Sequence, residues 1–421
     1  MRNIAQVFEY SGADATALLS RRVDHPMLRG MSTLLTDARI VTPTGVLERG
    51  WMLVEEGRIA GLGSGQAPDD AQERQSLEGR WVVPGFIDLH VHGGGGHDMS
   101  SPDPTEVRGA AAFHRGHGTT RSLASIVTAP LDEMLVALAT VRSVVDDGPT
   151  PDGRVVGSHL EGPFLNPARA GAHDPRHLLA PDRSTMERLL DAASGTLRVL
   201  TIAPELPGGL DLVRQAVASG VVVAVGHSDA THAEATAAFE AGASLVTHLF
   251  NGMRPWHHRD PGVAGAALAG AGIVTELIND GIHLHDATAR VAFAAAGPGR
   301  VALVTDAVAA VGAGEGSFRL GSAAMRVRDG AVRLEDGETL AGSTLTMDVA
   351  FRRAVRELGL PMSIAVEATS ATPARVLGIG DHVGSVNVGH EADLVVLRDD
   401  LEVEGVMAGG AWTTSGRLFH R

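Results

Sequence analysis

The stretch Gly226-His227-Ser228-Asp229-Ala230, with Thr247-His248-Leu249-Phe250-Asn251-Gly252 following it, decides how this chain reads. Each histidine closes an apolar run with the character of a buried parallel strand. Val221-Val222-Val223-Ala224-Val225 precedes His227, and Ser244-Leu245-Val246 precedes His248. An imidazole at the end of such a run is poorly placed for packing. It is well placed at the mouth of a barrel, where consecutive strand ends converge. Neutral imidazole is a common metal ligand, and two from neighbouring strands can hold one ion jointly. Taken alone, a strand-end histidine more often satisfies a local hydrogen bond, so the reading depends on how the other strands end.

Working outward, strand-like runs recur at 82–92, 119–128, 155–161, 197–204, 221–227, 244–251, 274–279 and 301–306. Amphipathic, Ala-rich helical stretches such as 131–145 and 230–241 lie between most of them. Eight strands in βα alternation predict an α/β fold, a (β/α)₈ TIM-like barrel over residues 81–380, with a doubly wound open sheet as the alternative. A β-hairpin insertion is expected at 317–340, within 312–345, followed by helices at 346–358 and 361–377. Short β-like pieces fill 32–80 and return in 381–421, which predicts a small β-sandwich domain built from both chain ends. Residues 1–31 lack periodicity and read as an N-terminal extension.

Composition bounds the function. The 421 residues suffice for one large domain and a smaller one, and a 44% hydrophobic content with mean hydropathy +0.07 suits a soluble enzyme with a sizeable core. No apolar run approaches membrane-spanning length and no signal peptide is visible, so the expected location is cytoplasmic, away from membranes. A net charge of −15 without a basic run argues against nucleic-acid binding. With no cysteine, any metal must take His, Asp or Glu. All 35 basic residues are arginine, which excludes a Schiff-base lysine, a phosphate-loop lysine and a carbamylated lysine bridging two metals.

Five of the eight runs end in metal-site chemistry. The first ends in His90-Val91-His92, where alternation puts both imidazoles on one side of the strand. The third ends in His159-Leu160-Glu161, the fifth and sixth in His227 and His248, and the eighth in Thr305-Asp306-Ala307. Glu161, His227 and His248 would hold a divalent metal with a position left open for water. Asp306 would take the water's proton and pass it to a leaving amine. The structural alternatives are a turn residue for Asp306 and a salt bridge for Glu161. Gly93-Gly94-Gly95-Gly96 lacks the spacing of a nucleotide-binding loop and reads as a mobile turn shaping substrate access.

Pro84-Gly85-Phe86-Ile87-Asp88-Leu89-His90-Val91-His92 resembles the first-strand signature of the amidohydrolase superfamily. His159 to Phe164, Gly226 to Ala230 and Thr247 to Met253 resemble the N-acetylglucosamine-6-phosphate deacetylases in particular. Arg259-Asp260-Pro261-Gly262, Asp280-Gly281-Ile282-His283 and Leu340-Ala341-Gly342-Ser343 extend the likeness, which runs from about Leu34 to the C-terminus.

The resemblance implies hydrolysis of a sugar-phosphate acetamide to glucosamine 6-phosphate and acetate. It implies metal ligation by Glu161, His227 and His248, with His90 and His92 available for a second ion that Glu161 would bridge. It implies acid/base work by Asp306 and polarisation of the acetamido carbonyl by His173. Substrate contacts are implied for Ala172, Asn251, Gly252, Asp280, Gly281 and Ile282, phosphate contacts for Arg259 and His283, and cover over the sugar from Leu340, Ala341 and Gly342. A homodimer is implied, with Arg259 crossing the interface. Nitrogen and oxygen donors suit zinc, iron, manganese or cobalt, one or two per subunit. The alternatives are another amidohydrolase, namely an N-acetylgalactosamine-6-phosphate deacetylase, a deaminase or an aminoacylase, and a non-catalytic sugar-phosphate-binding protein.

Overall fold

The structure is a computed structural model and describes residues 32–69, 71–148, 153–335 and 337–413. The extension expected at 1–31 lies outside the described residues, as do residues 414–421.

Eight parallel strands form one sheet in strict chain order: Phe86–Asp88, Thr119–Val127, Val155–Glu161, Leu197–Ile202, Val222–Val225, Leu245–Val246, Val274–Ile278 and Val301–Val304. A doubly wound sheet would reverse its strand order at a switch point. Instead the last strand returns to the first: Val91 bridges Ala307 in parallel, and the Asp306 N–H donates to the His90 carbonyl at 2.8 Å. The sheet is therefore a closed barrel. Most of its strands are rich in apolar residues because parallel strands under a ring of helices are buried on both faces. Thr119–Val127 and Val155–Glu161 are buried at every position. The helices between strands include Leu131–Asp146 and His232–Glu240. The latter starts directly after the His227 loop, where Thr231 and Glu234 cap it reciprocally.

The run 82–92 is not one strand. Trp81–Pro84 pairs with Leu394–Leu397 in a second sheet, and only Phe86–Asp88 joins the barrel. The break falls at Gly85, where a Cβ would sit 2.3 Å from the Thr120 hydroxyl oxygen, so only glycine lets the chain cross from one sheet to the other. His90 and His92 thus lie past the first barrel strand, in the connection at its mouth.

The first and last described segments meet in that second sheet, an eight-stranded assembly that includes Ser32–Thr42, Gly45–Glu55, Leu394–Leu397 and Val403–Ala408 around a small core of Leu35, Ile40, Met52, Leu394 and Met407. Arg121 of the second barrel strand is buried against Glu391 and Asp393 at 2.6 and 2.8 Å, tying this sheet to the barrel. The insertion is a three-stranded meander, Gly316–Leu320, Ala323–Arg328 and Ala331–Leu334. A lone hairpin is marginal in water, and the third strand lets this one enclose its own core with Val308 and Ala341. The helix expected at 361–377 is interrupted by a π-helical turn, Glu367–Ala371, just before Pro373, which has no N–H to donate. The tetraglycine is no loose turn: Gly93–Gly94 pairs with His97–Asp98, the Gly95 N–H donates to the Val311 carbonyl and the Gly96 N–H to the Ala309 carbonyl, both at 2.8 Å.

Candidate active site

Three of the strand-end residues share an uncommon backbone. His227, His248 and Asp306 have φ of 47°, 27° and 49°, the left-handed region that a residue with a Cβ seldom adopts. Such a conformation costs about 1–3 kcal/mol and persists only where its surroundings enforce it. Here they do: the His227 carbonyl accepts from Asn166 N–H, and the Asp306 N–H donates to His90. Each sharp turn swings its side chain from the barrel wall toward the axis.

The turned side chains converge. Glu161 Oε1 lies 3.1 Å from His227 Nε2 and 3.2 Å from His248 Nε2, and the two nitrogens are 3.0 Å apart. His227 Nδ1 donates to the Arg169 carbonyl at 2.8 Å, which leaves Nε2 with a lone pair facing the other two atoms. Converging lone pairs in a buried space repel unless a cation stands between them. The edges of a tetrahedron of metal–ligand bonds near 2 Å measure about 3.3 Å. The donor set therefore fits a divalent ion.

A second niche adjoins the first. His90 Nε2 and His92 Nε2 are 3.1 Å apart, with Asp306 Oδ1 at 3.4 and 3.3 Å from them. Glu161 belongs to both, since its Oε2 lies 3.2 Å from His92 Nε2. The electrostatics express the same demand for positive charge. Burial alone would depress both imidazoles, but Asp306 and Glu161 hold His90 well above the usual histidine range and His92 up at about 9. Burial likewise works to raise Asp306, and His90 and His92 more than reverse it, so Asp306 stays ionised. His173 Nε2 sits 3.4 Å from Glu161 Oε2; burial pushes His173 down to about 4 and keeps it neutral.

Two buried groups in this cluster have no role in the sequence reading. His159 bonds the hydroxyls of Ser125 and Thr201 at 2.9 and 2.8 Å, so it is a satisfied core histidine that braces the His90 ring. Glu276, inside the seventh barrel strand, lies 3.2 Å from His90 Nδ1 and accepts from the His248 N–H at 3.3 Å. A carboxylate within the apolar run Val274–Ile278 was the available signal.

The cluster floors a cavity of about 360 Å³. Ala172, His173, Asn251, Gly252 and His283 line its wall, with Leu340 and Gly342 over it. Gly252 has φ 58°, and a Cβ there would stand 3.0 Å from the His227 ring, so glycine keeps the wall close to the cluster. Ala341 is turned into the core of the insertion. Asp280, Gly281 and Ile282 lie outside the lining. Asp280 acts behind it, accepting from His283 Nδ1 at 2.6 Å and from the N–H of residues 282 and 283. Asp280 also offsets the effect of burial on His283 and raises its pKa. Arg259 does not reach the cavity of its own chain; it is exposed, 2.8 Å from His258. The insertion instead contributes Arg333 and Glu338 to the lining, neither of which the sequence singled out. A second hollow of about 390 Å³, outside the barrel against Phe293, Leu358 and Ile364, holds none of the clustered histidines.

A barrel whose strand ends hold His90, His92, Glu161, His227, His248 and Asp306 in this way has a known kin: residues 81–413 match the amidohydrolase family, and the chain belongs to it. Within that family it is similar to N-acetylglucosamine-6-phosphate deacetylases. It is 36% identical to the one from Bacillus subtilis (strain 168) over 375 residues, 88% of this chain and 94% of that protein. The structure of the Mycobacterium smegmatis N-acetyl-D-glucosamine-6-phosphate deacetylase D267A mutant, in complex with N-acetyl-D-glucosamine-6-phosphate, superposes with a TM-score of 0.86. That chain is 41% identical, and the match covers 91% of this chain and 100% of that one. An Escherichia coli O157:H7 N-acetylgalactosamine-6-phosphate deacetylase is 35% identical over 381 residues, 90% of this chain and 99% of its own length.

Proposed function

We propose that this protein is a metal-dependent deacetylase that hydrolyses the acetamido group of N-acetyl-D-glucosamine 6-phosphate to D-glucosamine 6-phosphate and acetate. Its place would be amino-sugar catabolism and cell-wall sugar recycling in the cytoplasm. The observation that carries the reading is the Glu161 carboxylate, shared between His227 and His248 on one side and His92 on the other, at the floor of a small-molecule cavity.

Glu161, His227 and His248 would hold one divalent ion, zinc, iron, manganese or cobalt, and His90, His92 and Asp306 a second bridged by Glu161. Such an ion polarises the amide carbonyl and acidifies water near it. His173, neutral at the cavity wall, donates an N–H to the acetamido oxygen as negative charge develops there. Asp306, ionised and aimed at the same point, accepts the proton of the attacking water and returns it to the departing amine nitrogen. His283, fixed by Asp280, receives the phosphate, and Arg333 adds charge from the same chain. In a homodimer the partner subunit's Arg259 would complete the phosphate end, since a planar, always-charged donor suits a dianion and the chain has no lysine. Asn251 and Gly252 form the wall, and Leu340 and Gly342 cover the sugar.

A second reading takes the galactosamine epimer as substrate, supported by the similarity to the E. coli protein along 99% of its length. An acetate-release assay on both 6-phosphorylated epimers, with metal content measured on the same sample, tests the two together. Faster turnover of the glucosamine compound is expected. Binding of either sugar phosphate without acetate release, with every divalent metal tried, would make this a non-catalytic binding protein.

A further inference from the structure

Glu276 is the one carboxylate in contact with a clustered imidazole ring to which the reaction as described gives no task. It is fully buried in the middle of the seventh barrel strand, where a valine or leucine would pack without desolvating a charge. Its Oε2 lies 3.2 Å from His90 Nδ1 and accepts from the His248 backbone N–H, while its Oε1 has no hydrogen-bond partner among the described residues. A buried carboxylate that leaves one oxygen unused is a poor device for stability. It needs another reason.

We propose that Glu276 is a positioning residue that makes His90 a ligand, and so sets how tightly the second niche holds its ion. The proposal rests on the two-ion reading above. The carboxylate accepts, so His90 Nδ1 carries the hydrogen and Nε2 is the nitrogen where an ion in the niche would replace a proton, 3.1 Å from His92 Nε2 and 3.4 Å from Asp306 Oδ1. His92 is oriented in the same sense by a neutral group, the Ser125 carbonyl at 3.2 Å. The anionic partner makes His90 the more basic donor of the pair. Its second bond runs to the backbone of His248, a member of the first niche, so the strand that carries one ligand fixes the orientation of another.

The test compares the full-length wild type with Glu276→Gln and Glu276→Leu, each stripped and reloaded with zinc. Ions per chain are counted against a graded series of chelator concentrations, and thermal unfolding of the stripped proteins is recorded alongside. Wild type should hold two ions. Both variants should keep the first ion with wild-type affinity and bind the second about 10–100-fold more weakly, Leu more so than Gln, which retains an acceptor oxygen. Gln matches Glu in shape and secures the test if Leu does not fold. Two ions held as tightly as wild type in both variants, or equal losses at both niches, would overturn the role of Glu276 and leave the two-ion reading standing. A wild type that never exceeds one ion per chain would overturn both.

Discussion

Thr305 donates its hydroxyl to the Asp88 carboxylate at 2.6 Å, across the seam where the last barrel strand meets the first. Asp88 also accepts from the N–H of Thr305 and of His90 at 3.3 and 3.2 Å. One buried carboxylate thus closes the barrel and anchors the two segments that carry His90 and Asp306. Burial pushes Asp88 up to about 7 even though the Thr305 and His90 donors all work to lower it, so burial is the stronger influence on this carboxyl.

Replacing Thr305 with Val keeps the volume and removes the hydroxyl. Leaving a buried acceptor short of a donor costs about 1–3 kcal/mol. Urea unfolding of Thr305→Val should show that loss with an unchanged denaturant slope. Turnover should fall too, because Asp306 follows directly in the chain. An unaltered midpoint would mean the seam is held by the backbone bonds alone.

Asp306→Asn keeps the shape and removes the proposed proton acceptor. Acetate release should drop by about 10²–10⁴-fold. Occupancy of the Glu161, His227 and His248 niche, read by metal analysis, should not change. Near-normal turnover would transfer the proton to another group and remove Asp306 from its role.

How much of this was legible in the sequence follows from where the partners lie. The barrel could be read because the strand-like runs recur locally, and five of the eight close in His, Glu or Asp. The division of 82–92 could not, because Trp81–Pro84 pairs with Leu394–Leu397, some three hundred residues away, and Pro84-Gly85 marks a break without saying that the strand changes sheet there. Asp280 was visible in its motif, but only the structure shows it holding His283 from behind instead of lining the cavity. Glu276 is a charge inside an apolar strand, a signal the sequence reading did not use, because without knowing that His90 lies beside it the charge has no meaning. Arg333 gave no signal at all. It is a polar residue on a short strand of an insertion, and only the fold of that meander brings it over the cavity.

The phosphate end should titrate through His283. Burial works to lower its pKa, and Asp280 more than compensates, so the cationic form persists to higher pH than in an ordinary histidine. Attraction for the phosphate is complete below that raised pKa and lost as pH climbs through it. KM for the 6-phosphate should therefore rise in the alkaline range while KM for unphosphorylated N-acetylglucosamine stays level. His283→Asn should raise the first KM at neutral pH and flatten its pH profile.

Arg259 supplies the check on the dimer. Arg259→Ala should reduce kcat/KM for the phosphorylated substrate by about 10–100-fold, the worth of a charge-assisted hydrogen bond, and spare the unphosphorylated sugar. Inactive Asp306→Asn mixed with Arg259→Ala should recover activity if the arginine crosses between subunits. Equal losses on both sugars would favour a different amidohydrolase substrate.

The most direct measurement is an anomalous difference map from crystals of the metal-loaded protein. The account predicts a peak bonded to Glu161 Oε1, His227 Nε2 and His248 Nε2 at about 2.0–2.2 Å, on the cavity side of the cluster. A loaded, active protein whose peak lies away from these three atoms would contradict it.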